Sequence, residues 1–365
     1  METAQLYKEA LQLLQELIAT PSLSKEEDRT AAIIEQFLQQ KGVETYRHLN
    51  NVWALNKHFD AAKPVVLLNS HHDTVKPNPQ YTKDPFSPVI EEGKLYGLGS
   101  NDAGGCLVAL LAAFVFFYDK QNLPYNVIIG ASAEEEISGA NGIEALLKAE
   151  GFVAALQHKQ PAFAIVGEPT LLNLAIAEKG LMVLDGMAHG KAGHAAREEG
   201  ESAIYKALKD IEWISTYRFP KTSEWLGPVK MSVTVINTEN KAHNVVPAQC
   251  SFVVDVRVTD VYSHEEVLEV IRQNIQSEVK PRSMRMRATR IEPTHPVVKA
   301  GIALGKSVYG SPTSSDKALM PFPALKCGPG DSARSHTADE FIYLEELEKG
   351  IEHYIKLLSM VMEQA

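Results

Sequence analysis

VVLLNS (65–70), YNVIIGAS (125–132) and AFAIVG (162–167) are short apolar runs that carry no polar/apolar alternation along their strand-forming cores. A strand that is apolar on both sides must be covered on both sides, and crossover helices do this for parallel strands. Between the runs lie NDAGGCLVALLAAFVFFY, read as a buried helix starting at Asp102, and ANGIEALLKAEG, read as a second helix. The alternation predicts an α/β fold: a mainly parallel sheet with helices on both faces. At the start of the chain Leu6, Leu11, Leu14, Leu17 and Ile18 recur at helical spacing. A further helix is predicted over roughly 27–40 and a long closing one over about 344–362.

The middle of the chain has a different rhythm. From 177 to 290 it reads strand (178–189), helix (201–217), strand (229–238), strand (248–258), helix (263–278), strand (284–291). That βαββαβ order is the signature of a ferredoxin-like α+β unit. Afterwards LMPFPALKCG returns to a buried strand. A chain of 365 residues exceeds what one core usually serves. The reading is therefore two domains: one built from 1–176 and 291–365, and a smaller one, 177–290, inserted into it.

A net charge of -10 disfavours nucleic acid and anionic membrane as partners, since both call for a basic surface. Cys106, Cys250 and Cys327 lie far apart without CxxC spacing, so they read as buried reduced thiols rather than disulfides or thiolate metal ligands. The N-terminal stretch mixes charges into its helical pattern and lacks a signal peptide's apolar segment. The run from Cys106 to Tyr118 is too short to span a bilayer. The expectation is a cytoplasmic protein.

In an open parallel sheet, ligands gather beyond the carboxyl ends of the strands. There the sequence places His71, His72 and Asp73 after VVLLNS; Asp102 after KLYGLG; Glu134, Glu135 and Glu136 after VIIGAS; Glu168 after AFAIVG; and His336 after ALKCGPG. Singly, each has an ordinary explanation: a lone aspartate before a helix is usually a cap, and an acidic triplet is usually a solvated loop. Five segments delivering imidazole or carboxylate to one edge is a different matter, because such groups are seldom buried unpaired. Imidazole and carboxylate without thiolate suit Zn²⁺, and also Co²⁺ or Mn²⁺. The set is large enough for two metals with one carboxylate left to act as general base on a shared water. A metal-free pair of catalytic acids, as in glycosidases, would leave the histidines unexplained.

SHHDTV, GLGSNDAGG, SAEEEISG, GEPT and GPGDSARSHTADEF together resemble the M20 family of dinuclear zinc aminoacylases and peptidases, in the style of its acetylornithine deacetylase and succinyl-diaminopimelate desuccinylase branch. The resemblance implies His71 and Glu168 on one metal, Glu136 and His336 on the other, and Asp102 bridging. It implies Asp73 as the residue that orients His71, and Glu135 as the general base. Glu134 stands where an aspartate is usual, and strand parity points His72 away from the site. GKAGHAA implies that His194, on the inserted lid, polarises the scissile carbonyl, across a homodimer interface in relatives. AHNVVPAQC implies a hydrogen-bonding role for Asn244. VVDVRV places Arg257 where a relative's arginine meets a substrate carboxylate, with a surface ion pair as the alternative. Gly328 and Gly330 are implied at the substrate site. Leu98 and Gly104 replace an arginine and a lysine often found there, which touches acyl-group specificity rather than catalysis. The implied activity is amide hydrolysis of a small N-acyl amino acid, acetyl or succinyl, in arginine or lysine biosynthesis. A dipeptidase or aminopeptidase of the same family, or a non-catalytic metal-binding relative, are the alternatives.

Overall fold

The structure, a computed structural model, describes Thr3–Glu363, so the two residues at each end of the 1–365 span lie outside the description. The chain divides into two compact units. The first comprises the residues up to Ile176, Ile291–Tyr309 and Ser315 onward; the second comprises Ala177–Arg290 and Gly310–Ser314.

In the first unit the strands Asn126–Ser132, Val65–His71, Phe163–Val166 and Ala324–Lys326 lie side by side and parallel. Asn51–Leu55 adds antiparallel beside Asn126–Ser132, with Tyr46–His48 outside it. At the other side Lys326 pairs antiparallel with Ala175 of the strand Leu174–Glu178. Every residue of Val65–His71 and of Asn126–Ser132 is buried, as expected for strands covered on both faces. Full burial of a leucine or isoleucine such as Leu67, Leu68, Ile128 or Ile129 contributes about 1.5–3 kcal/mol each.

The helix Gly105–Tyr118 is apolar on every side and packs against the helices Thr3–Ile18 and Leu344–Glu363 and the sheet. The stretch Ser100–Tyr118 is long and apolar enough to cross a membrane, but 78% of its most apolar window is buried, which is how a core helix behaves. The helix does not start at Asp102. Ser100–Gly104 forms a wider turn in which Asp102 is extended, at φ -117° and ψ 100°, and regular helix begins at Gly105. Asp102 is thus no helix cap, and its side chain is left for other work. The single helix expected at 140–151 is two, Ile143–Lys148 and Glu150–Ala155, broken where Ala149 turns extended.

The second unit is a four-stranded antiparallel sheet in the order Lys230–Asn237, Gln249–Val258, Gly180–His189, Glu278–Pro281. The helices Ala203–Thr216 and His264–Asn274 pack on one face, around Met182, Leu184, Phe252, Val254 and Val256. With the first strand between the third and the fourth, this is the ferredoxin-like arrangement. Two boundaries differ from the sequence expectation. The long first strand is interrupted at Lys179, which separates Leu174–Glu178 from Gly180–His189. The fourth strand is Glu278–Pro281 rather than 284–291, because buried Asp210 ends the preceding helix early by accepting from the backbone N–H groups of Gln276 and Ser277. The Met284/Met286 alternation that suggested the later strand lies beyond it; only the short strand Thr289–Arg290 forms there, paired with Glu178 and Ala177.

Candidate metal centre

His71 ends the central strand Val65–His71. The ring is 1% exposed, with Nδ1 3.0 Å from the carbonyl oxygen of Asp73 and 3.4 Å from its Oδ1. A carbonyl only accepts, so Nδ1 carries a proton, and with the other proton displaced the Nε2 lone pair would face inward. That buried Nε2 has no hydrogen-bond partner. Around it stand Asp102 Oδ1 at 3.4 Å, Glu168 Oε1 at 3.8 Å and Glu135 Oε2 at 3.9 Å.

On the other side of Asp102, its Oδ2 is 3.7 Å from His336 Nε2, which is 3.0 Å from Glu136 Oε2. His71, Asp102 and Glu168 form one candidate metal-binding group, and Asp102, Glu136 and His336 another. Asp102 is common to both and turns one oxygen toward each histidine.

Asp73 does more than orient His71. Its Oδ1 accepts from the backbone N–H of Glu135 at 3.0 Å, and its Oδ2 from that of Glu136 at 3.2 Å. One buried carboxylate thereby aligns a histidine on one strand end with two glutamates on the next. Glu134 takes no part in the cluster: it is buried, with φ 54°, and accepts from the backbone and side-chain nitrogens of Asn141. His72 is also structural, with its ring between Thr30 Oγ1 and the Asn50 carbonyl oxygen.

The charges fit a cation. Burial, with Glu168 and Glu136 nearby, holds the Glu135 carboxyl well above its usual range despite the opposing pull of His71. Burial likewise raises Glu136. A hydrogen bond to Glu136 lifts His336 to about 9. Burial alone would lower His71, but Asp102 and Asp73 outweigh it and hold the ring well above its ordinary value. Protons are being drawn into a pocket with more carboxylates than imidazoles. An unpartnered imidazole nitrogen amid oxygen donors, with no thiolate, is a donor set suited to Zn²⁺, Co²⁺ or Mn²⁺.

Other buried acids support the site, and sequence reasoning missed them. Glu340 Oε1 accepts from the backbone N–H groups of Asn101 and Asp102, both at 2.9 Å, and burial lifts its carboxyl to about 8. Asp316, raised to about 6 by burial, accepts from Ser132 Oγ at 2.5 Å at the end of the strand that leads to the glutamates. The only sequence hint was position: Glu340 follows His336 closely, in SHTADEF.

Gly328 and Gly330 are both fixed by packing and backbone hydrogen bonds. Gly328 is buried with both backbone groups engaged: its N–H donates to Thr170 Oγ1 and its carbonyl accepts from Thr170 and Leu172. A Cβ there would stand 2.6 Å from Cys106 Sγ and from the Glu168 carbonyl oxygen, so close packing requires glycine at this position. Gly330 is also buried, with φ +86°, and its carbonyl accepts from Leu171.

The remaining residues belong to the second unit. Gly193–His194 pairs with Val245–Val246 in a two-stranded ribbon, and the Asn244 carbonyl accepts from Ala195, so His194 and Asn244 are neighbours. His194 Nδ1 accepts from the Ala196 N–H, leaving the neutral ring's proton on exposed Nε2. The Arg257 guanidinium makes a two-point contact with Asp255, at 2.7 and 3.0 Å, which is the ion-pair alternative left open by the sequence.

The sequence profile of peptidase family M20/M25/M40 matches residues 67–360. A succinyl-diaminopimelate desuccinylase of Acidiphilium cryptum is 24% identical over 270 residues, covering 72% of this chain and 71% of that enzyme. Among solved structures, a tripeptidase from Staphylococcus aureus superposes with a TM-score of 0.76 at 18% identity, covering 98% of this chain and 99% of its own. The Bacillus subtilis YXEP protein, described as a dinuclear metal-binding peptidase of the M20 family, superposes with a TM-score of 0.73 at 16% identity, over 99% of this chain and 100% of that one.

Proposed function

This chain belongs to peptidase family M20/M25/M40, and from that premise we propose that it hydrolyses the amide bond of a small N-acyl amino acid, of the N-acetyl or N-succinyl ornithine, citrulline or diaminopimelate type, in arginine or lysine biosynthesis. The observation that carries the proposal is Asp102, with one oxygen toward His71 and the other toward His336, and Glu135 reaching the same space. The desuccinylase relative supports the substrate class.

In this reading His71 and Glu168 would hold one divalent cation, Glu136 and His336 the other, and Asp102 would serve both. When bound, the cations would supply Lewis acidity and make an attacking water more acidic. Glu135 would take a proton from the water that adds to the scissile carbonyl and pass it to the amine nitrogen as the C–N bond breaks. Asp73 keeps Glu135 and Glu136 in line through their backbone N–H groups. His194, a donor through Nε2, stabilises the oxyanion formed from the scissile carbonyl, and Asn244 beside it binds substrate.

We also propose a homodimer formed by the second unit. Its edge strand Lys230–Asn237 exposes Val235 and Ile236, and the helix Ala203–Thr216 exposes Tyr205 and Leu208. Unpaired edges and grouped apolar side chains favour association.

The deciding experiment is a hydrolysis panel with the metal-loaded protein: N-acetyl and N-succinyl ornithine, citrulline, diaminopimelate and glutamate against simple di- and tripeptides. An N-acyl amino acid should be cleaved best, chelation should abolish turnover, and re-addition of Zn²⁺ or Co²⁺ should restore it. Faster cleavage of the peptides would replace this reading with the peptidase one, which the tripeptidase-like fold keeps in view.

A further inference from the structure

The acidic triplet is gripped from two directions. Its three successive backbone N–H groups all point at carboxylates: Glu134 N–H at Glu27 Oε1 (3.2 Å), Glu135 N–H at Asp73 Oδ1 (3.0 Å) and Glu136 N–H at Asp73 Oδ2 (3.2 Å). Asp73 Oδ2 in turn accepts from Ser24 Oγ at 2.6 Å. Glu27 and Ser24 both come from PSLSKEE (21–27), which precedes the 67–360 span of the family match.

That segment is itself docked on the end of the His71 strand. The Thr74 N–H donates to the Ser22 carbonyl at 2.8 Å, Ser22 Oγ donates to the His72 carbonyl at 2.9 Å, and Leu23 bridges Thr74 in parallel. Glu27 is fully buried. Besides Glu134, it accepts from the Lys25 N–H at 2.6 Å and from Asn50 Nδ2 at 2.8 Å.

We propose that Ser22–Glu27 is a clamp that sets the distance between the His71 and Glu134–Glu136 loops, and that Ser24 is a positioning residue for Glu135 and Glu136 acting through Asp73. The physical ground is the geometry of Asp73. His71 Nδ1, Glu135 N–H and Glu136 N–H all belong to the loops being aligned, so by themselves they tie the loops only to each other. The Ser24 hydroxyl ties Asp73 to a third piece of chain that is docked on the His71 loop and reaches the Glu134 loop through Glu27, which restrains the carboxylate from rotating out of line with either. Groups that hold ligand-bearing residues in place alter metal affinity by about 10- to 100-fold when removed.

The inference rests on the metal reading above, and its test reads metal directly. Wild type, Ser24→Ala and Ser24→Thr, each as the full chain stripped of metal, are titrated with Co²⁺, following the visible absorption of the bound ion. Thermal unfolding of the metal-free forms is followed alongside. Ser24→Ala should bind Co²⁺ about tenfold more weakly with an altered absorption envelope, while its metal-free melting point stays close to that of the wild type. Ser24→Thr, which keeps the hydroxyl, should restore both affinity and spectrum. In turnover, Ser24→Ala should lower kcat more than it raises KM. Equal Co²⁺ affinity and spectrum in wild type and Ser24→Ala would overturn the clamp while leaving the metal reading intact. So would a loss confined to the melting point, or a loss that threonine does not repair. A wild type that takes up no Co²⁺ would overturn both.

Discussion

At the scale of single residues the site separates metal holding from proton transfer. Glu135 and Glu136 are adjacent, but Glu136 is turned to His336 while Glu135 faces His71. Glu135→Gln should therefore retain both metals by elemental analysis while turnover falls by about 10²–10⁴, the range that general-base catalysis supplies. Loss of metal with an unchanged rate per bound ion would exchange the two roles. His336 makes a second expectation. In the metal-free chain its pKa stands near 9, held up by Glu136, against about 6.5 in an unfolded chain. A raised imidazole stabilises the fold fully below the unfolded value and loses that contribution as pH climbs through the folded one. The metal-free melting points of wild type and His336→Gln should thus differ most below about pH 6.5 and converge above about pH 9. The ring is half exposed, so the gap should be small; a gap that widens with pH would contradict the Glu136 pairing.

At the scale of elements, buried carboxylates that accept backbone N–H groups recur as joints. Asp73 joins two strand ends, Glu340 holds the turn carrying Asp102, and Asp210 joins the helix Ala203–Thr216 to the start of the fourth strand of the second unit. Asp210 also accepts from Ser277 Oγ at 2.6 Å. Removing it leaves the buried Ser277 N–H without its partner, and such a loss costs about 1–3 kcal/mol. Asp210→Ala should lower stability in urea by that order while metal content stays unchanged. A simultaneous loss of metal would mean that Asp210 acts beyond its own unit. These joints were invisible in the sequence. Ser24 meets Asp73 across 49 residues, Glu27 meets Glu134 across 107, and Glu340 meets Asn101 across 239. No local period or turn signal encodes such a pairing.

At the scale of the whole molecule, the proposed dimer and the proposed role of His194 are tested together by complementation. His194→Ala and Glu135→Gln are each expected to be nearly inactive. If His194 serves the partner's site, a mixed dimer holds one site with both lesions and one with neither, so activity should return when subunits exchange. No recovery despite demonstrated exchange would assign His194 to its own chain or to no catalytic role. The sequence alone determined the layered α/β architecture, the inserted βαββαβ unit and the residues that converge as candidate ligands. Burial on both faces makes strands uniformly apolar, and parallel strands deliver their ends to one edge, so both properties are written locally. Only the tertiary structure decided that Asp102 lies in an extended turn rather than at a helix start, that the fourth strand is Glu278–Pro281, that Gly328 is a packing position and that Arg257 is tied to Asp255. Each of these depends on which distant group arrives within hydrogen-bond or van der Waals reach, and that is a property of the folded chain rather than of any segment of it.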